Sequence, residues 1–239
     1  MIPKRIHYCW FGGHNLPSSA QRCINSWKKF LPDYEIKRWD ESNYDVHCLD
    51  YISHAYNARK YAYVSDYARF DILYKEGGIY FDTDVEIIRP IDDIIKNGNF
   101  MGFQTGESPQ VNPGLVLGSS SNTPFLYKMR DLYHHIRFIN PDSLQVPETI
   151  VTYTTRELEK SGLILNDKIQ HIEQFTIYPT DYFCPISTLN GKLTITSNTR
   201  TIHHFDQTWQ SPMRRIGRKV ILKIGGYKLK LWVKKLLYK

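Results

Sequence analysis

Apolar and polar positions alternate along the chain with two periods, one typical of helices and one typical of strands. Helical spacing predicts helices over residues 19–30, 53–75 and 123–139 and near 148–161. Short apolar or alternating runs predict strands over residues 4–11, 35–39, 99–104 and 114–118. Because strands and helices follow one another in turn, the sequence predicts an α/β sandwich.

A further strand is predicted where the second helix ends at two glycines, in GGIYFDTDVE, residues 77–86. Asp82, Asp84 and Glu86 stand at alternate positions, and alternate side chains of a strand project to the same side. On a continuous strand the three carboxylates would crowd together, and their repulsion would raise their pKa values unless a cation compensated. The pattern therefore predicts either a solvated outer face or a cation site.

The helix before this strand carries a pair of opposite charges, Asp66 and Arg69, three positions apart. Residues at this spacing share a helix face. By itself, the spacing is that of an ordinary exposed ion pair, worth about 0.3–0.5 kcal/mol. The pair becomes a candidate for a functional site because the helix leads directly into the acidic strand.

The whole run, SDxxR followed by a spacer and GGIYxDxD, resembles the donor-binding core of glycosyltransferase family 32. That family includes sugar transferases of bacterial capsule and O-antigen pathways and yeast-type mannosyltransferases, and the glucosylating domains of clostridial toxins show a related pattern. IPKRIHYCWFGG, residues 2–13, resembles the family's first strand, and TIHHFDQTW, residues 201–209, resembles its His-His-x-x-x-Ser-Trp segment. Thr208 replaces the usual Ser, and Phe205 stands where Trp is frequent. The resemblance implies a GT-A-type nucleotide-sugar-binding sandwich, with a Rossmann-like mixed sheet flanked by helices.

The resemblance also implies a divalent metal. Asp84 would be a direct ligand, Asp82 would bridge the metal and the ribose or sugar, and His203 or His204 would close the site. Carboxylate oxygens suit Mg²⁺ or Mn²⁺, and an imidazole ligand favours Mn²⁺. The sequence leaves open which of the two histidines binds.

The remaining implied roles concern the nucleotide-sugar donor. Asp66 and Arg69 would hold sugar hydroxyls and a diphosphate oxygen, Trp10 would lie beside the base, and Trp209 would seal the diphosphate pocket. Members of the family retain the anomeric configuration, so no general base is expected. The resemblance also implies a polar residue near the reacting sugar carbon, for which the candidates are Gln104, Glu107 and Asn112. Glu86 either supports the metal ligands or is simply the next exposed position, and the sequence leaves the roles of all four residues open.

The basic residues are unevenly distributed. Ten of the 31 Lys and Arg residues and none of the 24 acids follow Ser211, which leaves 21 basic against 24 acidic residues, a net charge of −3, in residues 1–211. Within this tail, Leu229, Trp232, Val233 and Leu236 recur at helical spacing opposite lysines. The pattern predicts a catalytic domain over residues 1–211 and a basic amphipathic tail over 212–239 that binds an anionic membrane surface. The alternative is a helix packed on the body with a solvated basic face.

The composition and the cysteines exclude some other classes. A content of 41% hydrophobic and 14% aromatic residues is that of a globular protein. The four cysteines include no CxxC pair, so we expect neither a zinc site nor a disulfide framework. No signal peptide or membrane span is predicted.

Two alternatives to a glycosyltransferase remain. FDTDV, residues 81–85, matches the nucleophile motif of haloacid-dehalogenase-type phosphatases, but no GDxxxD pattern follows. The basic tail could bind nucleic acid, but no nucleic-acid module is present and the body is acidic, so we predict no nucleic-acid partner.

We therefore predict a metal-dependent retaining glycosyltransferase. It would move a hexose from a nucleotide sugar, UDP-galactose first and GDP-mannose second, to a lipid-linked saccharide of bacterial capsular polysaccharide or O-antigen. Its predicted location is cytoplasmic, peripheral on the inner face of the bacterial membrane.

Overall fold

A mixed β-sheet runs through the computed structural model, which describes residues 1–139 and 148–206. The helices are α1 (Ser18–Phe30), α2 (Asp50–Asn57), α3 (Tyr61–Glu76), α4 (Asp92–Lys96), α5 (Pro124–His135), α6 (Ile150–Glu159) and α7 (Thr180–Phe183). The strands are β1 (Arg5–Cys9), β2 (Glu35–Trp39), β3 (Gly78–Tyr80), β4 (Val85–Ile87), β5 (Asn99–Gln104), β6 (Gln110–Val111), β7 (Leu117–Ser119), β8 (Gln170–Ile172), β9 (Phe175–Tyr178) and β10 (Thr201–His203).

The main sheet has the strand order β2-β1-β3-β7-β5-β9-β8, and β6 pairs with β5 beside this path. The pairs β1–β2, β1–β3 and β5–β9 are parallel, and the other pairs of this sheet are antiparallel. A second, two-stranded sheet joins β4 to β10 antiparallel. This arrangement confirms the predicted α/β class with a mixed sheet.

The core lies on both faces of the main sheet because successive strand residues point to opposite sides. Tyr80 and Met101 belong to one buried cluster, with residues of α2, α3, α5 and α6. Their strand neighbours Ile79 and Phe100 belong to the other cluster, with Trp27 of α1 and residues of α4 and α7. The sheet is therefore covered by helices on both sides.

The predicted helix over residues 53–75 is wrong in one respect, because it is two helices. Between α2 and α3, Arg59 takes a positive φ of 57°, which ends the first helix. The Lys60 N–H then donates to the Ala55 carbonyl at 2.8 Å, and the chain restarts as α3 at Tyr61. The predicted end at the glycine pair is confirmed: Gly77 has φ 64°, and its N–H donates to the Leu73 carbonyl at 2.9 Å.

The prediction of one continuous acidic strand over residues 77–86 is also wrong. β3 ends at Tyr80, and a turn follows in which the Val85 N–H donates to the Asp82 carbonyl at 3.1 Å. β4 then pairs with β10 in the separate sheet, so Glu86 is not on the same strand as Asp82. The turn, rather than strand alternation, determines where each carboxylate points.

Three predictions concern residues outside the described ranges: Trp209, the basic tail over residues 212–239 and the domain boundary at 211. Among the described residues, no helix combines the length and hydrophobicity needed to cross a bilayer.

Candidate active site

A cavity of about 780 Å³ lies at the carboxyl ends of β1, β3 and β5. In open α/β sheets, ligands bind outside the carboxyl ends of the strands. The volume is in the upper part of the range of about 300–1,000 Å³ found for small-molecule sites. Its lining residues come from segments 9–14, 61–69, 80–84, 104–112 and 149–151, together with Thr188, His203 and Phe205.

Arg69 occupies the floor of the cavity between two acids. Its Nη2 lies 2.8 Å from Asp66 Oδ1 and 3.4 Å from Asp82 Oδ1, and its side chain is only 3% exposed. The guanidinium also lies over the ring of Tyr80, 4.8 Å from its centroid. Arg69 is thus buried between the partly buried Asp66 and Asp82, and the alternative of an ordinary exposed ion pair is wrong.

The sheet explains why these residues meet. The side chain of Tyr80, the last residue of β3, points to the side of the sheet that α3 covers, and the turn after it places Asp82 next to Arg69 of that helix. The Tyr80 hydroxyl donates to Asp82 Oδ1 at 3.2 Å, and the Asp82 N–H donates to the Gly114 carbonyl at 3.0 Å. The carboxylate is therefore held from its backbone and from its side chain.

Burial changes the acid–base properties of this group. It raises the pKa of Asp66 to about 7, with Arg69 opposing the rise and Asp82 adding to it. Burial also raises the pKa of Asp82, again against the attraction of Arg69. For Arg69, burial alone would lower the pKa, but the charges of Asp82, Tyr80 and Asp66 outweigh it and raise the pKa. Arg69 is therefore a permanent cation.

The second group of charges joins the acidic turn to the carboxyl-terminal strand of the described chain. β10 pairs with β4 so that His203 stands opposite Val85, and His203 Nε2 lies 3.0 Å from Asp84 Oδ1. The other carboxylate oxygen, Asp84 Oδ2, accepts the Asp206 N–H at 2.8 Å. Burial disfavours both charges, but their mutual attraction prevails, so it lowers the pKa of Asp84 and raises the pKa of His203.

His203 and His204 have different surroundings. Asp82, Asp84 and His203 each offer one ligand atom, and these atoms lie within 4.8 Å of one another. His204 is outside this group, because its Nε2 lies 2.9 Å from Glu86 Oε2. Three of the four predicted metal ligands, Asp82, Asp84 and His203, therefore lie close together. The fourth, His204, pairs with Glu86 instead.

The gathered residues fit a divalent metal ion. Two carboxylates and one imidazole offer oxygen and nitrogen donors, the set that suits Mn²⁺ or Mg²⁺. The His203 side chain is 8% exposed, and its Nδ1 is buried without a hydrogen-bond partner among the described residues. A polar atom left in this state carries a free-energy cost that a ligand can relieve.

Other predicted residues also line the cavity. Trp10 lies at the end of β1, and its Nε1 donates to the His14 carbonyl at 2.7 Å. Gln104, Glu107 and Asn112 line the cavity as well, and Asn112 Nδ2 donates to Gln104 Oε1 at 2.8 Å.

Sequence reasoning missed Gly114 as part of the site. A Cβ placed on Gly114 would lie 2.1 Å from Asp82 Oδ2 and 2.9 Å from Arg69 Nη1. The Asn112-Pro113-Gly114 sequence signals a turn, but nothing in it signals the neighbourhood of Asp82.

The comparison with known families supports a glycosyltransferase. Residues 17–101 match the family described as "Glycosyltransferase sugar-binding region containing DXD motif". "Inositol phosphoceramide mannosyltransferase 3" of Schizosaccharomyces pombe is 32% identical over 136 residues, which are 54% of this chain and 36% of that protein. "Uncharacterized glycosyltransferase L373" of Acanthamoeba polyphaga mimivirus is 28% identical over 145 residues, 56% of each chain. These matches support a transferase enzyme, as the DxD motif predicts.

These similarities have clear limits. The chain aligns with only 36% and 41% of the length of two mannosyltransferases of S. pombe. A solved structure, a glycosyltransferase involved in the glycosylation of the major capsid of PBCV-1, covers 93% of this chain and is itself fully covered, with 11% identity and a TM-score of 0.46. At that TM-score, the likeness carries no argument about the activity.

Proposed function

We propose that the protein is a GT-A-type, metal-dependent retaining glycosyltransferase that moves a hexose from a nucleotide sugar. The observation that carries the proposal is the grouping of Asp82, Asp84 and His203 beside the buried Arg69 in one cavity. The family match over residues 17–101 includes both acids and Arg69.

The charges of the site suit a diphosphate leaving group. Bound by Asp82, Asp84 and His203, a divalent cation supplies Lewis-acid neutralisation of the negative charge that grows on the leaving diphosphate. Arg69 adds a second positive charge that is already fixed in place by Asp66 and Asp82. Preorganised charges of this kind stabilise the transition state without reorganisation.

We propose roles for two further cavity residues in binding the donor. Trp10 offers an aromatic surface for the base, and Asp66 offers carboxylate oxygens to sugar hydroxyls. We propose a UDP-sugar, UDP-galactose first, and the similarity to mannosyltransferases supports testing GDP-mannose beside it.

The proposals for the acceptor and for the cellular location are based on the sequence alone. We propose a lipid-linked saccharide of bacterial capsular polysaccharide or O-antigen, reached from the cytoplasmic face of the membrane through the basic tail. Binding of the full chain and of a chain ending at Ser211 to anionic liposomes tests the tail, and equal binding would contradict its role.

The experiment that tests the activity is a panel of nucleotide sugars, scored for hydrolysis with Mn²⁺, with Mg²⁺ and with EDTA. We expect at least one nucleotide sugar to be hydrolysed, and we expect EDTA to abolish this hydrolysis. Asp84→Ala should abolish it, whereas the matched surface change Asp33→Ala should not, because Asp33 is 78% exposed and its ion pair within residues 1–139 and 148–206 is with an exposed lysine, Lys4. Hydrolysis that persists in EDTA or in Asp84→Ala would contradict the metal assignment.

A further inference from the structure

The cavity has two chemically different halves. One half holds the charged residues at the carboxyl ends of β1 and β3. The other half is formed by the start of α3 and the start of α6, and its lining is mostly apolar or aromatic: Tyr61, Ala62, Tyr63, Ile150 and Val151. The donor assignment uses the first half and leaves the second half without a ligand.

The two halves are joined along one helix. Tyr63, Asp66 and Arg69 follow each other at intervals of three on α3, so each lies beside the next on the helix surface. At a rise of about 1.5 Å per residue, the backbone of Tyr63 lies about 9 Å from that of Arg69 along the helix axis. A ligand in the second half would therefore lie next to the donor's sugar rather than in a separate pocket.

The two tyrosines of this half have different surroundings. The ring of Tyr61 packs against the backbone of Gly12, where an added Cβ would lie 2.3 Å from Tyr61 Cε2. Tyr61 therefore serves to hold the Gly12–Gly13 turn. Tyr63 is half-buried in the cavity wall, and its ring and that of Phe138 form a T-shaped contact with a centroid distance of 5.5 Å.

The charges of the cavity select against an anionic ligand in the second half. Among the described lining residues, the acids are Asp66, Asp82, Asp84 and Glu107, and the only Lys or Arg is Arg69. Arg69 already contacts Asp66 and Asp82. With Asp82 and Asp84 assigned to the divalent cation, the remaining acids of the lining are Asp66 and Glu107, and among the described lining residues no further Lys or Arg is present to pair with a carboxylate or phosphate.

We propose that this second half is the acceptor subsite and that it binds an uncharged sugar ring. The ring's apolar C–H face would lie against Tyr63, beside Ile150 and Val151, while its hydroxyls point to the polar groups of the cavity. Aromatic side chains suit such a ligand because they offer a large apolar face together with a polar edge. This inference rests on the proposed function and narrows its acceptor to saccharides whose receiving sugar carries no charge.

The test uses the full chain, its best nucleotide sugar, and four small acceptors: methyl glucoside, methyl galactoside, methyl mannoside and methyl glucuronide. The variants are Tyr63→Ala and Tyr63→Phe. The matched control is Tyr127→Ala, because Tyr127 is 56% exposed on α5 and does not line the cavity. Hydrolysis of the donor without acceptor is measured for every variant, and acceptor binding is followed separately by saturation-transfer NMR.

We expect Tyr63→Ala to raise the acceptor KM at least tenfold, to weaken the NMR contact with the methyl hexosides, and to leave donor hydrolysis within twofold of the unchanged protein. Tyr63→Phe should restore acceptor binding because it restores the ring, and Tyr127→Ala should change nothing. At least one uncharged methyl hexoside should bind, and the glucuronide should bind more weakly than the glucoside.

Each of the following results would overturn the acceptor inference while leaving the proposed function intact, since donor hydrolysis by the unchanged protein stands on its own. They are an unchanged acceptor KM and NMR contact in Tyr63→Ala, an equal loss of hydrolysis and transfer in that variant, and stronger binding of the glucuronide than of the hexosides. Absence of binding by all three hexosides would also overturn it. Failure of every nucleotide sugar to be hydrolysed would count against the proposed function instead.

Discussion

Gly114 fixes the position of the Asp82 carboxylate, and Gly114→Ala tests this directly. The Gly114 N–H donates to Asn112 Oδ1 at 2.7 Å, and the Gly114 carbonyl accepts the Asp82 N–H at 3.0 Å. The backbone at residue 114 is therefore held on both sides. An added Cβ would lie 2.1 Å from Asp82 Oδ2, so the carboxylate has to move for the methyl group to fit.

The size of the effect follows from that distance. To reach even 3.0 Å from the new Cβ, Oδ2 must move by about 0.9 Å, the difference between 3.0 Å and 2.1 Å. A misplacement of about 1 Å can cost about a hundredfold in rate, which corresponds to about 2.7 kcal/mol of transition-state stabilisation. The fold should be little affected, because the atoms displaced are the ends of two side chains that line the cavity, Asp82 Oδ2 and Arg69 Nη1, the latter 2.9 Å from the new Cβ.

Gly102→Ala is the matched control. Its Cβ would lie 2.6 Å from Cδ2 of Phe183, a ring of the hydrophobic core, and Gly102 does not line the cavity. Overpacking of this kind typically costs about 1–3 kcal/mol of stability. We expect Gly102→Ala to lower Tm while its folded fraction keeps the kcat/KM of the unchanged protein.

The assay compares kcat/KM for metal-dependent hydrolysis of the best nucleotide sugar, Mn²⁺ affinity by calorimetry, and Tm by circular dichroism. Gly114→Ala should lose about a hundredfold in kcat/KM with a small change in Tm. The reasoning fails if Gly114→Ala keeps kcat/KM within threefold of the unchanged protein and instead lowers Tm as Gly102→Ala does. Gly114 would then be needed only for packing.

Three other predictions concern ionisable residues: His203 and His204, Arg69, and His7. His203→Ala should weaken Mn²⁺ binding at least tenfold, whereas His204→Ala should leave it within threefold; a calorimetric titration giving the reverse order would contradict the ligand set. Arg69→Ala leaves Asp66 and the 30%-exposed Asp82 without their cation, so we expect a lower free energy of unfolding and a loss of a few kcal/mol in transition-state stabilisation; kinetics within threefold of the unchanged protein would show that Arg69 stabilises the fold alone. Burial lowers the pKa of His7 from 6.5 to about 4; at this residue the native state therefore binds fewer protons than the unfolded state, and the stability that His7 contributes falls by about 3 kcal/mol as pH decreases from about 6.5 to about 4, against an opposite contribution from the raised pKa of Asp66. Urea unfolding between pH 4 and 7 measures this slope, and an equal slope in His7→Gln would show that another group causes it.

The His7 prediction has a clear structural cause. Trp39 Nε1 donates to His7 Nδ1 at 3.0 Å, so this nitrogen is the acceptor, and His7 Nε2 then donates to the Gly77 carbonyl at 2.8 Å. Both nitrogens of the neutral ring are thereby satisfied. Protonation of Nδ1 would break the bond to Trp39 in a fully buried position.

The sequence determined the features that depend on neighbouring residues. The strands Glu35–Trp39 and Asn99–Gln104 have the predicted bounds, and the helix Ser18–Phe30 differs by one residue, because local alternation and helical spacing set the faces of these elements. The glycine pair ended α3 as predicted, since Gly77 adopts the positive φ that the turn requires. The motifs also identified Asp66, Arg69, Asp82 and Asp84 as candidate site residues.

The tertiary structure decided what depends on distant parts of the chain. Asp84 meets His203, 119 positions away, because β4 pairs with β10, and no local pattern predicts that pairing. The same pairing directs His204 to Glu86, a distinction that the sequence leaves open. Only the packing of α3 on the sheet makes Arg69 a buried cation rather than an exposed one, and only the turn after β3 brings Asp82 and Asp84 together without a continuous strand. The physical reason is common to these cases: local patterns fix which face of an element is apolar, whereas strand pairing and helix packing fix which polar side chains meet.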